Sequence, residues 1–306
     1  MHPKSKPAIK AGFSFWVDLS RGFWYNRSIR GLKGRSDMAC EIIEKFIMGK
    51  SGDEAACEDV LVIGEHFYAV IDGVTSKFPV KYGGKSAGRY CAEVVAEAIC
   101  ALDGTEDGKS ALCAIDRAVK RAYQGAKITE ENKMQACVIM YSKARRQVYS
   151  YGDCGLMING ESFDHTKRVD TLLERLRAFA VMAYLKEGGD PSALLEKDVG
   201  REAILPFLKK QSLFANKDGY FGYGVIDGTG INESLIKTYT LNSGDRVVLA
   251  SDGYPKLFST LEKSEEYLAY VLEADPLSIN ENMQTKMKNK DNLSFDDRCY
   301  LSFIAE

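Results

Sequence analysis

The sequence predicts an α+β protein built on antiparallel sheets. Three observations carry that reading. Apolar runs come in pairs joined by short polar turns, helical periodicity falls in blocks between those pairs, and no Pro- or Ser-rich linker or internal repeat divides the 306 residues. A short turn returns a strand antiparallel to its predecessor, whereas a parallel strand needs a long crossover.

Taken in order, Val60 to Ile63 and His66 to Ile71 flank Gly64-Glu65, a pair suited to a two-residue type II′ turn. Ala87, Tyr90, Cys91, Val94, Val95, Ala98 and Ile99 then recur at helical spacing, and Leu112, Ile115, Val119 and Tyr123 mark a second helix over Ser110 to Tyr123. Strands follow at Ala136 to Tyr141 and Gln147 to Tyr151, and Leu156 to Ile158 leads into an Asn159-Gly160 turn. Val169 to Gln211 reads as helix with a break near Gly188 to Pro191, and NKDGYFGYGVIDGTG as a long loop. Strands at Leu235 to Leu241 and Arg246 to Ala250, a helix over Glu265 to Leu272 and a strand at Cys299 to Ile304 complete the order.

A formal charge of −2 argues against a nucleic-acid binder, which would carry a basic excess. Residues 1–36 form a basic, aromatic arm: Lys4, Lys6, Lys10, Arg21, Arg27, Arg30, Lys33 and Arg35 stand against Asp18 alone. Such an arm suits contact with an acidic partner or a membrane surface, although an extension packed on the domain with solvated Lys and Arg accounts for it as well. Asp18 and Arg21 interrupt the apolar stretch near the start, and no run reaches the roughly 18 apolar residues of a spanning helix, so neither a targeting signal nor membrane insertion is expected. Eight cysteines without a CxxC pair read as reduced thiols of a cytoplasmic protein.

The chemistry concentrates where apolar strands stop. Glu58-Asp59 precede the first hairpin strand, Asp72-Gly73 end the second, Asp153 follows Tyr151-Gly152, Asp252-Gly253 follow Ala250-Ser251, and Asp296-Asp297 precede the last strand. Any one Asp-Gly pair is an ordinary turn. Acids at the ends of several strands in one sheet would repel each other strongly unless a cation neutralised them. With carboxylates at hand and no Cys or His among them, the donor set suits Mg²⁺ or Mn²⁺ rather than Zn²⁺, Asp72 being a ligand and Gly73 letting its own carbonyl reach the ion.

CEDV, FYAVIDG, YGDCG, LNSGDRVVLASDGY and DDRCYLSF, spanning Cys57 to Phe303, resemble in order the motifs of the PPM (type 2C) family of metal-dependent serine/threonine protein phosphatases, in a divergent, bacterial-like form. The resemblance implies a four-layer α-β-β-α sandwich, two antiparallel sheets flanked by helices, over residues 37–306, with a helical and loop flap at 169–230. It implies two metal ions, Mn²⁺ or Mg²⁺. Asp72 would bridge them, Gly73 offer its carbonyl, Asp252 and Asp296 hold the first, and Glu58 with Asp59 support the second. Asp153 would serve a third, weaker ion together with Asp252. Asp72, Asp252 and Asp296 would be the catalytic set, and a hydroxide bridging the metals would attack the phosphorus of phosphoserine or phosphothreonine in a phosphoprotein. For the last ligand, Asp291 in KDNLS is the other candidate; Asp296 is preferred because it runs straight into a strand.

The pattern departs from the family at three places. Glu54 stands where an Arg grips phosphate, Val74 where a His is the proposed leaving-group acid, and the small residues near Ala136 are partly kept. Lys77 or Lys85 could replace the missing cation, although solvated lysines account for both. His66, His165 and Cys154 read as structural. The alternative to an active phosphatase is a catalytically silent regulatory binding module of the same fold. A haloacid-dehalogenase-like reading fails, since Val70 occupies the place of the required nucleophile.

Overall fold

The structure, a computed structural model, describes residues 41–306; the arm of residues 1–36 and the first residues of the expected domain lie outside them. Strands β2 (Val60–Ile63) and β3 (Phe67–Gly73) form the expected hairpin, with Val60 opposite Ile71 and Ile63 opposite Tyr68. The turn differs from expectation. Gly64 does not take the positive φ that a type II′ turn needs, and the connection runs through Gly64, Glu65 and His66, with Gly64 N–H donating to Phe67 O at 2.9 Å.

β3 pairs with β6 (Ala136–Ser142), β6 with β7 (Gln147–Tyr151) and β7 with β10 (Lys237–Thr240), giving the order β10-β7-β6-β3-β2. The second sheet runs β1-β12-β11-β8-β9, from β1 (Ile42–Met48), β8 (Gly155–Ile158), β9 (Glu161–Phe163), β11 (Arg246–Ala250) and β12 (Arg298–Ile304). Every pairing in both is antiparallel. A short ladder, β4 (Lys81–Tyr82) with β5 (Lys85–Ser86), stands apart.

Strand alternation sorts the side chains into layers. Val70, Ile139 and Tyr141 of the first sheet meet Leu249, Leu301 and Phe303 of the second. Ile71, Val138 and Met140 point the other way, onto Cys91, Val95 and Ile99 of α1 (Ala87–Cys100) and Leu112, Ile115 and Val119 of α2 (Gly108–Ala122). Each such fully buried aliphatic side chain contributes roughly 1.5–3 kcal/mol. Being covered on both faces explains why every residue of β6 is buried and why its apolar run shows no polar alternation. On the outer face of the second sheet, Val248, Ala250 and Tyr300 pack with Tyr254 and Leu257. Helix α6 (Leu261–Ala274) lies over that face, fastened by Arg298 Nε to Glu265 Oε1 at 3.0 Å. The result is a four-layer α-β-β-α sandwich.

Ser86 caps α1 by accepting from Arg89 N–H, and Asp107 caps α2 by accepting from Ser110 N–H. The segment expected as one interrupted helix is three: α3 (Arg168–Lys186), α4 (Pro191–Glu196) and α5 (Val199–Lys210). The expected break lies between α3 and α4. A further one falls at Lys197-Asp198, where Asp198 accepts from Arg201 N–H at 2.9 Å and so starts α5. Val169 and Leu173 anchor α3 in the core between the sheets, while Ala178, Val181, Leu194 and Ile279 form a separate small core. Arg177, wholly buried, joins these pieces. Nε meets Asp198 Oδ2 at 2.9 Å, Nη1 donates to Ser278 O at 3.0 Å, and Nη2 donates to Leu277 O at 3.0 Å.

Among the described residues no helix is long and apolar enough to cross a membrane, and the seven cysteines there are free thiols.

Candidate metal centre

One edge of the sandwich collects the acids. β3 ends at Asp72 and Gly73, opposite Cys137 and Ala136 of β6. β7 ends at Tyr151, and Gly152, at φ 115°, turns the chain so that Asp153 faces the same point. A side chain at 152 would suffer that φ and place Cβ 2.5 Å from Cys137 Sγ, so glycine is required. Asp72, Cys137 and Asp153 thereby bring donor atoms within 4.8 Å of one another. Asp252 follows β11 and Asp296 precedes β12, neighbouring strands of the second sheet. Asp72, Gly73, Asp153, Asp252 and Asp296 all line one cleft of about 630 Å³. Glu58 and Asp59, at the start of β2, are buried beside it.

Acids held this closely oppose one another's ionisation. Burial, then Asp252, Asp59 and Asp153, push the Asp72 carboxyl well above the usual range. Burial and Asp297 do the same to Asp59. Asp252 stands exposed in the mouth of the cleft, yet partial loss of hydration, then Asp153 and Asp296, lift it to about 8. Asp153 and Asp296 go the other way. Burial acts to raise Asp153, but Lys167 Nζ, 2.7 Å from its Oδ2, overrides it. Burial likewise acts on Asp296, and Lys286 and Lys50 hold it at about 2.

Two carboxylate oxygens here, Asp59 Oδ2 and Asp153 Oδ1, are sealed from water and have no hydrogen-bond partner. Leaving such an acceptor unsatisfied costs about 1–3 kcal/mol, more when it is charged, and a cation beside it removes that cost. The surrounding donors are hard carboxylate oxygens, with the buried Cys137 thiol as a soft neighbour. The residues present fit a divalent ion of the Mg²⁺ or Mn²⁺ kind.

Glu58 is more fully engaged: Ser86 Oγ donates to its Oε1 at 2.6 Å and Thr75 Oγ1 donates to its Oε2. Gly73 has a packing reason for being glycine, since a Cβ would lie 2.5 Å from Glu58 O and 2.6 Å from Gly88 O. Asp291 is exposed and lies outside the cleft lining, whereas Asp296 belongs to it. Lys85 pairs with Glu93 at 2.5 Å on the surface and supplies no charge to the cleft. Lys77 does line it, and burial followed by Arg201 and Lys286 lowers its ammonium to about 8. Glu54, itself half-buried, opens a 3-10 turn whose other residues are exposed. His165 is a packed histidine, its Nδ1 2.6 Å from Cys154 O and its Nε2 2.8 Å from Tyr239 Oη.

Sequence reasoning missed the cations of the centre. Lys50, Lys167 and Lys286 each touch a site carboxylate, and Arg201 lines the wall. Lysines at these positions carry no motif. The signal that could have found them is the excess of acids itself, which demands counter-charge from the chain as well as from metal.

No family model matches the chain, and no curated protein matches it. Among solved structures it is similar to the catalytic domain of the serine/threonine protein phosphatase PstP in complex with two manganese ions, at 15% identity and TM-score 0.47, covering 88% of this chain and 100% of that one. It is similar also to the serine/threonine phosphatase Stp1 from Staphylococcus aureus, at 15% identity and TM-score 0.45, covering 91% and 100%. A third similarity is to RsbX in complex with magnesium, at 12% identity and TM-score 0.41, covering 87% and 100%.

Proposed function

We propose that the protein is a metal-dependent phosphatase that hydrolyses phosphoserine and phosphothreonine in proteins. One observation carries the reading: acids from separate strand ends meet in a cleft, and buried carboxylate oxygens among them, Asp153 Oδ1 and Asp59 Oδ2, lack a partner. The five motif stretches in family order support the same chemistry. Asp72, Asp252 and Asp153 would hold a divalent ion, with Asp296 and Gly73 beside them and Glu58 and Asp59 behind. When bound, the ion acidifies water and draws charge from the phosphoryl oxygens.

The chain's own groups do the rest. Lys77 and Arg201 line the cleft with no carboxylate within 4 Å among the described residues, so both can meet an anionic ester. Arg201 Nη1 donates to Thr285 O at 2.8 Å, which fixes its guanidinium against the wall. We place the protein in the cytoplasm, with residues 37–306 as the phosphatase domain, 169–230 as its flap and residues 1–36 as an arm for an acidic partner.

The silent binding module is favoured by one observation, that Lys50, Lys167 and Lys286 already neutralise part of the acidic set. Hydrolysis of p-nitrophenyl phosphate and of a phosphothreonine peptide, measured with and without Mn²⁺, tests the choice. Turnover that requires metal and disappears in Asp72→Asn and Asp252→Asn is expected; a folded protein that binds Mn²⁺ without turnover would establish the silent module.

A further inference from the structure

The acids of the centre fall into two halves according to what already satisfies them. In one half every carboxylate is engaged by the chain. Glu58 accepts from Ser86 and Thr75. Asp297 Oδ1 accepts from Lys50 N–H at 2.7 Å and its Oδ2 from Glu58 N–H at 2.9 Å. Asp296 Oδ1 accepts from Asp297 N–H at 3.0 Å and its Oδ2 from Lys286 Nζ at 2.5 Å. In the other half Asp153 Oδ1 is buried without a partner, and Asp72 and Asp153 bring donor atoms within 4.8 Å of one another; Asp59 Oδ2, also unpartnered, lies between the two halves, with Asp297 and Asp252 both acting on it.

At the centre of the engaged half stands one ammonium. Lys50 Nζ lies 3.2 Å from Asp296 Oδ1, 3.4 Å from Asp297 Oδ2 and 3.6 Å from Glu58 Oε2. Its backbone is fixed, because Lys50 N–H donates to Asp297 and Lys50 O accepts from Leu293 N–H at 2.7 Å. An anchored lysine among three carboxylates is a resident cation rather than a swinging surface charge. A divalent ion brought to the same carboxylates would meet that ammonium at close range and be repelled by it.

We propose that the Lys50 ammonium is a built-in cation occupying the Glu58–Asp296–Asp297 half of the centre, so that the chain takes up a single divalent ion, at Asp72, Asp153 and Asp252. This rests on the reading that the centre binds metal and departs from the pair of ions that the sequence resemblance implies. Lys50 then supplies, at fixed position and without dissociating, positive charge that a second ion would supply reversibly.

The test is Mn²⁺ stoichiometry, by calorimetric titration of the full chain and native mass spectrometry, with electron paramagnetic resonance to distinguish an isolated ion from an exchange-coupled pair. The wild type should bind one ion and give an uncoupled signal. Lys50→Met, neutral and of similar length, should bind two and give a coupled one, while Lys50→Arg should keep one. Two ions in the wild type, or one in a folded Lys50→Met, overturns the proposal and leaves the phosphatase reading standing. No ion in the wild type overturns that reading and the proposal with it. Should Lys50→Met not fold, the wild-type count and signal, with Lys50→Gln, decide.

Discussion

Lys167 Nζ lies 2.7 Å from Asp153 Oδ2, with both side chains almost closed to water. Lys167 is also the residue that enters α3, so one ion pair joins the start of the flap to the acidic centre. Removing one partner of a buried pair typically costs about 3–5 kcal/mol, because the other charge is left uncompensated. Lys167→Met should therefore destabilise the metal-free protein by roughly that amount. Added Mn²⁺ should raise its melting temperature more than that of the wild type, since the ion then takes over the lost counter-charge; thermal melts with and without Mn²⁺ check this.

Asp72 lies where mutual repulsion is concentrated, and burial together with Asp252, Asp59 and Asp153 disfavours its charge. Asp72→Asn keeps the shape and relieves the repulsion. Without metal the variant should melt higher, by about 2–4 °C for each kcal/mol relieved in a chain of this size. Metal affinity should meanwhile fall about 100-fold or more, the upper end of what changes to supporting residues cost. A melt and a Mn²⁺ titration on the same sample read both effects.

Glu174 on α3 lines the cleft, and burial, then Asp170 and Asp153, push its carboxyl up to about 7. The folded state thus binds this proton more tightly than the unfolded chain, whose glutamate titrates near 4.3. Its contribution to stability falls as pH rises from about 4.3 to 7 and is level above that. Glu174→Gln should match the wild type at pH 4 and be the more stable at pH 8. Urea melts at the two pH values decide; equal midpoints at pH 8 would contradict the assignment.

Arg177 ties α3 to Asp198 at the start of α5 and to the carbonyls of Leu277 and Ser278. Arg177→Met strips a fully buried hub of its donors and should cost about 3–5 kcal/mol. The loss should be local. Amide exchange in α3 to α5 should accelerate strongly while β3, β6 and β12 keep their protection.

The parts legible in the sequence are those fixed by short-range rules. β2, β3, β6, β7, β11 and β12 announce themselves because each is a mainly apolar run bounded by turn residues or acids. β1 escaped notice because Glu44 and Lys45 interrupt it, which an edge strand tolerates since one side is solvated. The break at Lys197-Asp198 was hidden because Asp reads as a cap only once its neighbour is known to leave the helix. The acids of the centre were visible as strand termini, whereas Lys50 and Lys286 reach them across 246 and 10 residues of chain, a closeness that only the pairing of β1 with β12 and the path of the 275–297 loop create.

Gly73 and Gly88 touch backbone to backbone: a methyl group on Gly88 would fall 2.7 Å from Gly73 O, and one on Gly73 would fall 2.6 Å from Gly88 O. Neither position tolerates a first step toward a larger residue, whatever the other does. A wedge driven in at α1 would lever the acid-bearing lip away from its partners across the cleft. The start of the outer helical layer, which presses on the cleft through Gly73, therefore governs how accurately the carboxylates are aimed.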